Sequence, residues 1–178
     1  KTGVFGLYDL IGIDLMSDVL KSFIKELPQN DPFHKVGKEL PLIKKLIESG
    51  YTGRKGKGGF FRINKEKNQK ILESLDYEKY TYHESKKADL LLPDLMNIDH
   101  LLKRKDIYGK YAWNIIKKTI LYASALVPDV VENFNDIDDA MRCGFNWQKG
   151  PFEILHEIGI KEFLGRLELD DKIPPFLK

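Results

Sequence analysis

A glycine-rich segment with three basic side chains offers the clearest potential for chemistry in this sequence. It reads Gly53-Arg54-Lys55-Gly56-Lys57-Gly58-Gly59-Phe60-Phe61 and is called the glycine loop below. Glycines permit backbone conformations in which several N–H groups converge on one anion, and the basic side chains add positive charge. The loop lacks the Gly-Lys-Ser/Thr of a P-loop, and it follows a predicted helix rather than the strand that a dinucleotide-binding fingerprint requires. Two interpretations stay open, an anion-binding loop or a tight solvated turn.

The histidines and the clustered aspartates do not form a recognisable catalytic or metal-binding pattern. The histidines are His34, His83, His100 and His156. No two of them are four residues apart and no cysteine lies at zinc-ligand spacing, so we expect surface or capping positions. Asp136, Asp138 and Asp139 fall in the first turn of a predicted helix, where capping and the helix dipole account for three acidic residues. We therefore predict no catalytic residue and no metal ligand in this chain.

The single cysteine and a group of aromatic residues have structural explanations. Cys143 precedes Gly144 at a predicted helix end and is expected to be a small buried thiol. One cysteine excludes an internal disulfide framework, which suits a reducing compartment such as the cytoplasm. Phe145, Trp147 and Phe152 are predicted to pack a turn against a long helix, and an aromatic ligand-binding face is the alternative.

A short phrase occurs twice, and it indicates an internal duplication. The first copy reads Gly3-Val4-Phe5-Gly6-Leu7-Tyr8-Asp9-Leu10-Ile11-Gly12-Ile13, and the second reads Gly150-Pro151-Phe152-Glu153-Ile154-Leu155-His156-Glu157-Ile158-Gly159-Ile160. Each copy predicts one short amphipathic helix that begins after a glycine turn and ends at a left-handed glycine cap. Pro151 suits the first helical position, where a missing N–H costs nothing. The repetition predicts a duplicated helical unit.

Composition restricts the class of protein. The chain has 178 residues, of which 42% are hydrophobic and 31% charged, as in globular domains. Its net charge of +2 does not indicate a nucleic-acid-binding surface. No apolar run approaches the ~20 residues of a membrane span, and no signal peptide is visible.

Helical periodicity elsewhere predicts an all-α fold. The predicted helices cover residues 15–27, 41–49, 65–75, 90–102, 108–127, 136–143 and 161–168. Asn135 is the expected cap of the helix over 136–143, which Gly144 should end. The helix over 108–127 is the longest, and its predicted buried stripe is Tyr111, Ala112, Ile115, Ile116, Thr119, Ile120, Ala123 and Leu126.

Several motifs in a fixed order suggest a family. They are Asp136-Ile137-Asp138-Asp139-Ala140-Met141, Gly144-Phe145, Gly150-Pro151-Phe152-Glu153 and Ile158-Gly159. Together they resemble the C-terminal domain of 3-hydroxyacyl-CoA dehydrogenases. The glycine loop is similar to that domain's closing motif, Gly-basic-Lys-x-Gly-x-Gly-Phe-aromatic, with one extra glycine. Two tandem copies resemble the multifunctional fatty-acid β-oxidation proteins, in which the dehydrogenase is fused to an enoyl-CoA hydratase.

The resemblance implies a domain organisation and a function. Residues 1–62 would be the last part of a first helical repeat, truncated at its start, 63–107 a connecting helical segment, and 108–178 a second repeat. The architecture would be of the 6-phosphogluconate dehydrogenase C-terminal type. The intact enzyme would oxidise (S)-3-hydroxyacyl-CoA with NAD, and Lys55 would contact the NAD. An upstream Rossmann domain would hold the cofactor and the catalytic His–Glu pair, so this chain alone should be inactive.

The resemblance also raises the question of assembly. The second repeat brings a long helix for its copy of the phrase to pack on, but the first copy has none in this sequence. Its apolar residues Phe5, Leu7, Tyr8 and Ile11 would then pair in a homodimer, the arrangement we favour, or share the helix over 108–127. A stand-alone helical assembly domain without catalysis is the alternative function.

Overall fold

The computed structural model describes residues 3–64, 70–86 and 98–178. The chain divides into two units, Lys1–Asp89 and Leu90–Lys178. Helices make up most of the described residues, and a small antiparallel sheet lies in the first unit. None of the described helices is both long and apolar enough to cross a membrane.

Three α-helices precede the sheet in the first unit. They are α1 (Val4–Ile11), α2 (Ile13–Glu26) and α3 (Pro41–Glu48), and a short 3-10 helix covers Pro32–Lys35. Pro28 follows the end of α2, and Pro41 occupies the first position of α3, where its missing N–H costs nothing. Gly50, with φ +79°, follows the end of α3. The helices predicted over 15–27 and 41–49 are confirmed, with small shifts at their ends.

Residues 61–84 contain a sheet, which corrects the all-α prediction. The antiparallel strands are β1 (Phe61–Asn64), β2 (Ile71–Asp76) and β3 (Thr81–Glu84), in the order β1-β2-β3. The helix predicted over 65–75 is wrong for residues 71–75, which lie in β2, while 65–69 lie outside the described residues. Ile71, Leu72 and Leu75 fit helical spacing as well as a short strand, so periodicity alone could not decide.

A local turn explains why this segment pairs as strands. The Asp76 carboxylate accepts hydrogen bonds from the N–H groups of Glu78 and Lys79, each at 3.0 Å. Tyr80 adopts a left-handed conformation with φ 57°. An aspartate that bonds to the backbone two residues ahead is typical of turns, and here the chain reverses between β2 and β3.

The described residues of the second unit, 98–178, form five α-helices around one core. They are α4 (Ile98–Lys103), α5 (Ile107–Ala125), α6 (Phe134–Phe145), α7 (Pro151–Ile158) and α8 (Ile160–Gly165), followed by a 3-10 helix at Pro175–Leu177. The buried apolar side chains form one cluster: Leu102, Ile120, Ala123, Val127, Phe152, Ile154, Leu155, Ile158, Phe163 and Leu177. The helix predicted over 90–102 is observed from Ile98, and its earlier part lies outside the described residues.

The long helix α5 is confirmed, but part of its predicted buried stripe is wrong. Ile120 and Ala123 are buried, whereas Tyr111 and Ile115 are 69% and 47% exposed. Lys117 is buried instead, and its Nζ donates to Glu168 at 3.1 Å and to Asp171 at 2.8 Å. Although burial opposes the charge, these bonds raise the pKa of Lys117.

The predicted start and the predicted end of α6 both need correction. Asn133, rather than Asn135, caps the helix. The helix continues through Gly144 to Phe145, and Asn146, in a left-handed conformation with φ 54°, ends it. Asparagine tolerates this conformation because its short polar side chain relieves the steric cost.

The Cys143 thiol and the Phe145 ring are both exposed, against expectation. The aromatic contacts of Phe152 are instead with Phe134 and Phe176, whose ring centroids lie 5.3 and 5.5 Å away. The expected packing of this turn against the long helix is therefore wrong for Phe145, which is 71% exposed.

The two copies of the repeated phrase form helices of equal length, α1 and α7. Gly12 and Gly159 follow them with φ +119° and +84°, so the positive φ is confirmed, although ψ near +125° is not that of a left-handed cap. Phe5 is 59% exposed, whereas the equivalent Phe152 is 6% exposed and α7 packs on α5. Within the first unit, Phe5, Leu7 and Ile11 are 59%, 43% and 40% exposed, and the Phe5 ring lies 4.8 Å from that of Phe60. The pairing of this face in a homodimer stays a prediction.

The predicted domain boundaries at 62/63 and 107/108 stay predictions. The segment 63–107 contains β2, β3 and α4, so its description as helical is wrong for the two strands.

Candidate cofactor-contacting loop

The glycine loop connects the end of α3 to β1 in the first unit. Gly53 N–H donates to the Gly58 carbonyl at 2.8 Å, which closes a tight turn. Gly53 and Gly58 have φ values of +107° and +124°, a region that favours glycine. The glycines of this turn are therefore required by its backbone conformation.

Several backbone N–H groups of the loop are bonded inside the protein. Those of Gly56 and Lys57 donate to the carbonyls of Gly53 and Gly50 at 3.0 and 3.2 Å. That of Gly59 donates to the Phe61 carbonyl at 3.0 Å. Because these amides are already paired, what the loop presents to a ligand is chiefly its basic side chains.

Asp9 of α1 contacts the loop at both of its ends. Its carbonyl accepts from Arg54 N–H at 2.7 Å. Its carboxylate oxygens Oδ1 and Oδ2 accept from the N–H groups of Phe60 and Phe61, each at 2.8 Å. The residue is 3% exposed, and this burial raises the pKa of Asp9 despite the two amide bonds. One residue thus holds the chain on either side of the turn.

The sheet supports the loop from the other side. The Tyr82 hydroxyl on β3 donates to the Gly59 carbonyl at 2.5 Å, and burial raises the pKa of Tyr82 to about 12. The Arg62 guanidinium lies 4.1 Å from the centre of the Tyr82 ring and bonds to Glu73 at 2.6 Å. These contacts fix the exit of the loop into β1.

The basic side chains of the loop differ in what they touch. Arg54, Lys55 and Lys57 are all exposed. The Lys57 ammonium donates to the Ser49 carbonyl at 3.2 Å. In the part of the chain that the structure describes, no hydrogen bond or ion pair occupies the Lys55 ammonium. Lys55 is therefore an available donor on an anchored loop, and its role in cofactor binding stays a prediction.

The histidines and aspartates singled out in the sequence have local roles. His34 Nε2 lies 3.0 Å from the Pro28 carbonyl, and His83 Nε2 lies 3.4 Å from Ser74 Oγ. The Asp138 carboxylate accepts from the N–H groups of Phe152 and Glu153 at 2.9 and 3.0 Å. Burial raises the pKa of Asp138. These contacts connect neighbouring elements of the fold.

One acidic cluster among the described residues has the spacing of a metal site. It consists of Glu168, Asp170 and Asp171. Two of these carboxylates already bond to the buried Lys117 ammonium. The charge of that lysine accounts for the cluster without a cation.

Sequence reasoning missed the residues that build the loop's support. Asp9 looked like any polar residue of an amphipathic helix, and Tyr82 lay in a segment predicted to be helical or connecting. Their partners lie 51 or 52 residues away for the Asp9 carboxylate and 23 residues away for Tyr82. The only sequence signal was that Asp9 interrupts the apolar face of α1 with a residue of low helix propensity.

Comparison with known proteins connects this loop to a family. Residues 1–63, which include the glycine loop, match the model of the 3-hydroxyacyl-CoA dehydrogenase C-terminal domain, so the resemblance to this family is confirmed for that part of the chain. A protein of Rickettsia felis named as a fatty acid oxidation complex trifunctional enzyme is 42% identical over 87% of this chain and 21% of its own length. A Bacillus subtilis protein named as a 3-hydroxyacyl-CoA dehydrogenase is 27% identical over 100% of this chain and 23% of its own length. The chain thus spans about a fifth of the length of these relatives. No solved structure matches it significantly.

Proposed function

We propose that this chain is the C-terminal portion of an NAD-dependent 3-hydroxyacyl-CoA dehydrogenase of fatty-acid β-oxidation. The main support is that the family match covers residues 1–63, which include α1 and the whole glycine loop. In the intact protein, an upstream Rossmann domain binds NAD and contributes the catalytic His–Glu pair. An enoyl-CoA hydratase domain belongs to the same polypeptide, and the enzyme works in the cytoplasm. The present chain helps to shape the acyl-CoA cleft and to form a homodimer.

In this reaction the C3 hydroxyl of the substrate is oxidised to a ketone, and NAD accepts the hydride. This chain's own contribution to the cofactor is one positive charge, the Lys55 ammonium, which donates to an oxygen of the bound dinucleotide. The residues fit such a contact, because the side chain is exposed on a loop whose ends are fixed by Asp9. They do not form a complete nucleotide site, since several loop amides are bonded inward.

The first test compares catalysis by the 178-residue chain with catalysis by the full-length enzyme. NADH oxidation with acetoacetyl-CoA should be measurable only for the full-length protein. Acid–base groups are typically worth about 10²–10⁴-fold, and the groups assigned to this role lie in the upstream domain. Turnover by the 178-residue chain would contradict the proposed division of labour.

The second test removes the Lys55 ammonium in the full-length enzyme. Lys55→Ala should raise the KM for NADH roughly 10–150-fold, as expected for losing a charged hydrogen bond of about 1.5–3 kcal/mol, and leave the melting temperature unchanged. Lys38→Ala removes an equally exposed ammonium from the segment before α3 and should leave the KM unchanged. An unchanged KM in Lys55→Ala would return the loop to a purely structural role.

The exposed face of α1 and α2 supports the homodimer and also the alternative of an assembly domain without catalysis. Its larger members include Val4, Phe5, Leu10, Leu15 and Phe23, each between 48% and 68% exposed. Exposed apolar side chains that lie close together commonly mark an interaction site. Sedimentation of the chain over a range of concentrations should show a monomer–dimer equilibrium that Phe5→Asp abolishes. A clean monomer at high concentration would contradict the dimer.

A further inference from the structure

Asp9 is a costly residue at its position in α1. It lies in the last turn of the helix, where a negative charge opposes the helix dipole, and aspartate has a low intrinsic helix propensity. It is 3% exposed, so its carboxylate has also lost most of its hydration. The helix itself gains nothing from this side chain. Any stabilising contribution of Asp9 must therefore come from the groups to which it bonds.

Those groups are the two ends of the segment that presents Lys55. Arg54 N–H donates to the Asp9 carbonyl at 2.7 Å, directly before Lys55. The N–H groups of Phe60 and Phe61 each donate to the Asp9 carboxylate at 2.8 Å, where the loop enters β1. The part of the glycine loop between Arg54 and Phe60 is therefore held at both ends by a single residue of α1.

The space around Asp9 shows that the loop is fitted closely to it. A Cβ atom placed on Gly53 would lie 2.5 Å from the Asp9 carbonyl oxygen. A Cβ atom placed on Gly59 would overlap with Asp9 Oδ1. Glycine at these two positions thus permits the approach of the loop backbone to Asp9, in addition to the turn conformation.

The second copy of the phrase provides an internal comparison. The residue equivalent to Asp9 there is His156, which is exposed on α7. The helix forms with the same length in both copies, so the carboxylate is not needed for the helix. The difference between the copies is that Asp9 of α1 bonds to the glycine loop, whereas His156 of α7 is exposed.

We propose that Asp9 is the positioning residue for Lys55, which holds the glycine loop so that the ammonium reaches the cofactor. This inference rests on the proposed role of Lys55 in NAD binding and extends it to a residue that contacts no ligand itself. Asp9→Asn tests it, because the substituted amide keeps one acceptor oxygen but turns its NH₂ group toward the other backbone N–H. Gly59→Ala tests it independently, since the added methyl displaces the carboxylate while Asp9 remains.

The experiment uses the full-length enzyme and three measurements. They are the KM and kcat for NADH and acetoacetyl-CoA, the Kd of NADH from fluorescence titration, and amide hydrogen exchange in peptides spanning residues 54–61. Asp9→Asn and Gly59→Ala should raise the KM and Kd for NADH by roughly tenfold or more. The kcat and the KM for acetoacetyl-CoA should stay unchanged, and exchange in the loop should become faster. Asp18→Asn, the same change on a 72% exposed carboxylate of α2, should alter none of these values.

The double variant Asp9→Asn/Lys55→Ala separates the possible failures. If Asp9 acts through Lys55, the double variant should bind NADH no more weakly than Lys55→Ala alone. Additive losses of NADH affinity in the double variant would overturn the positioning role. Normal NADH binding in both Asp9→Asn and Gly59→Ala, with impaired binding in Lys55→Ala, would also overturn it. Either result leaves the proposed function intact. Normal NADH binding in Lys55→Ala would overturn the positioning role together with the proposed contact between Lys55 and the cofactor.

Discussion

Phe5 and Phe152 occupy the same place in the repeated phrase but different environments, which makes alanine substitution at both a matched experiment. Phe152 on α7 is 6% exposed, and its ring lies 5.3 Å from that of Phe134. Phe5 on α1 is 59% exposed, and its ring lies 4.8 Å from that of Phe60. Because the two helices have the same length and a glycine on either side, burial is the main variable at the phenylalanine position.

The expected difference follows from the area that each ring buries. The exposed fractions of Phe5 and Phe152, 59% and 6%, differ by about half a side chain. A Phe side chain buries about 150–250 Å² when fully enclosed, so this difference corresponds to roughly 100 Å² and ~2.5 kcal/mol at ~25 cal/mol per Å². Phe152→Ala also leaves a cavity, and such substitutions typically cost ~3–5 kcal/mol. We therefore expect a loss of about 3–5 kcal/mol for Phe152→Ala and about 1–2 kcal/mol for Phe5→Ala.

Urea unfolding can assign each loss to its unit. Both tryptophans, Trp113 and Trp147, lie in the second unit, so fluorescence reports on that unit, whereas far-ultraviolet circular dichroism reports on the helices of both. At a concentration where the chain is monomeric, Phe152→Ala should lower the midpoint seen by fluorescence, and Phe5→Ala should leave it unchanged. Equal losses for the two variants under these conditions would refute the reasoning that burial distinguishes the copies.

Three further outcomes follow from named contacts. Lys117→Met should destabilise the second unit by about 3 kcal/mol in fluorescence-detected unfolding, because it leaves the Asp171 carboxylate unpaired, whereas the exposed Lys118→Met should have little effect. Tyr82 has its pKa raised by burial, so the folded state should lose stability as pH rises from about 10 to about 12, and Tyr82→Phe should flatten this loss in circular dichroism. Gly58→Ala should destabilise the first unit, because its φ of +124° disfavours any side chain, and an unchanged midpoint would contradict this.

The sequence alone was sufficient to predict those elements whose limits are set by residues within or beside them. Pro28 and Pro41 set the end of α2 and the start of α3, and Pro151 starts α7. The glycine loop was also predictable as a nonhelical segment, because four closely spaced glycines cannot sustain a helix. In each case the determining residue lies within the segment that it controls or directly beside it.

The sheet and the loop's support were not predictable, because they depend on distant partners. Residues 71–75 satisfy helical and extended patterns alike, and it is pairing with Phe61–Asn64 and Thr81–Glu84 that selects the strand. Lys117 was not part of the predicted buried stripe, and its burial requires carboxylates 51 and 54 residues further along the chain. Periodicity contains no information about such pairs.

The two buried aspartates, Asp9 and Asp138, make the same kind of hydrogen bonds but hold different segments in the two units. Asp138 accepts from the consecutive N–H groups of Phe152 and Glu153 and so holds the start of α7. Asp9 accepts from the consecutive N–H groups of Phe60 and Phe61 and so holds the exit of the glycine loop. In both cases burial raises the pKa even though the two amide hydrogen bonds lower it, so these bonds offset only part of the cost of burying the charged carboxylate. A buried carboxylate with two paired amides therefore specifies one arrangement of the backbone, and in the first unit that arrangement is the one that presents Lys55.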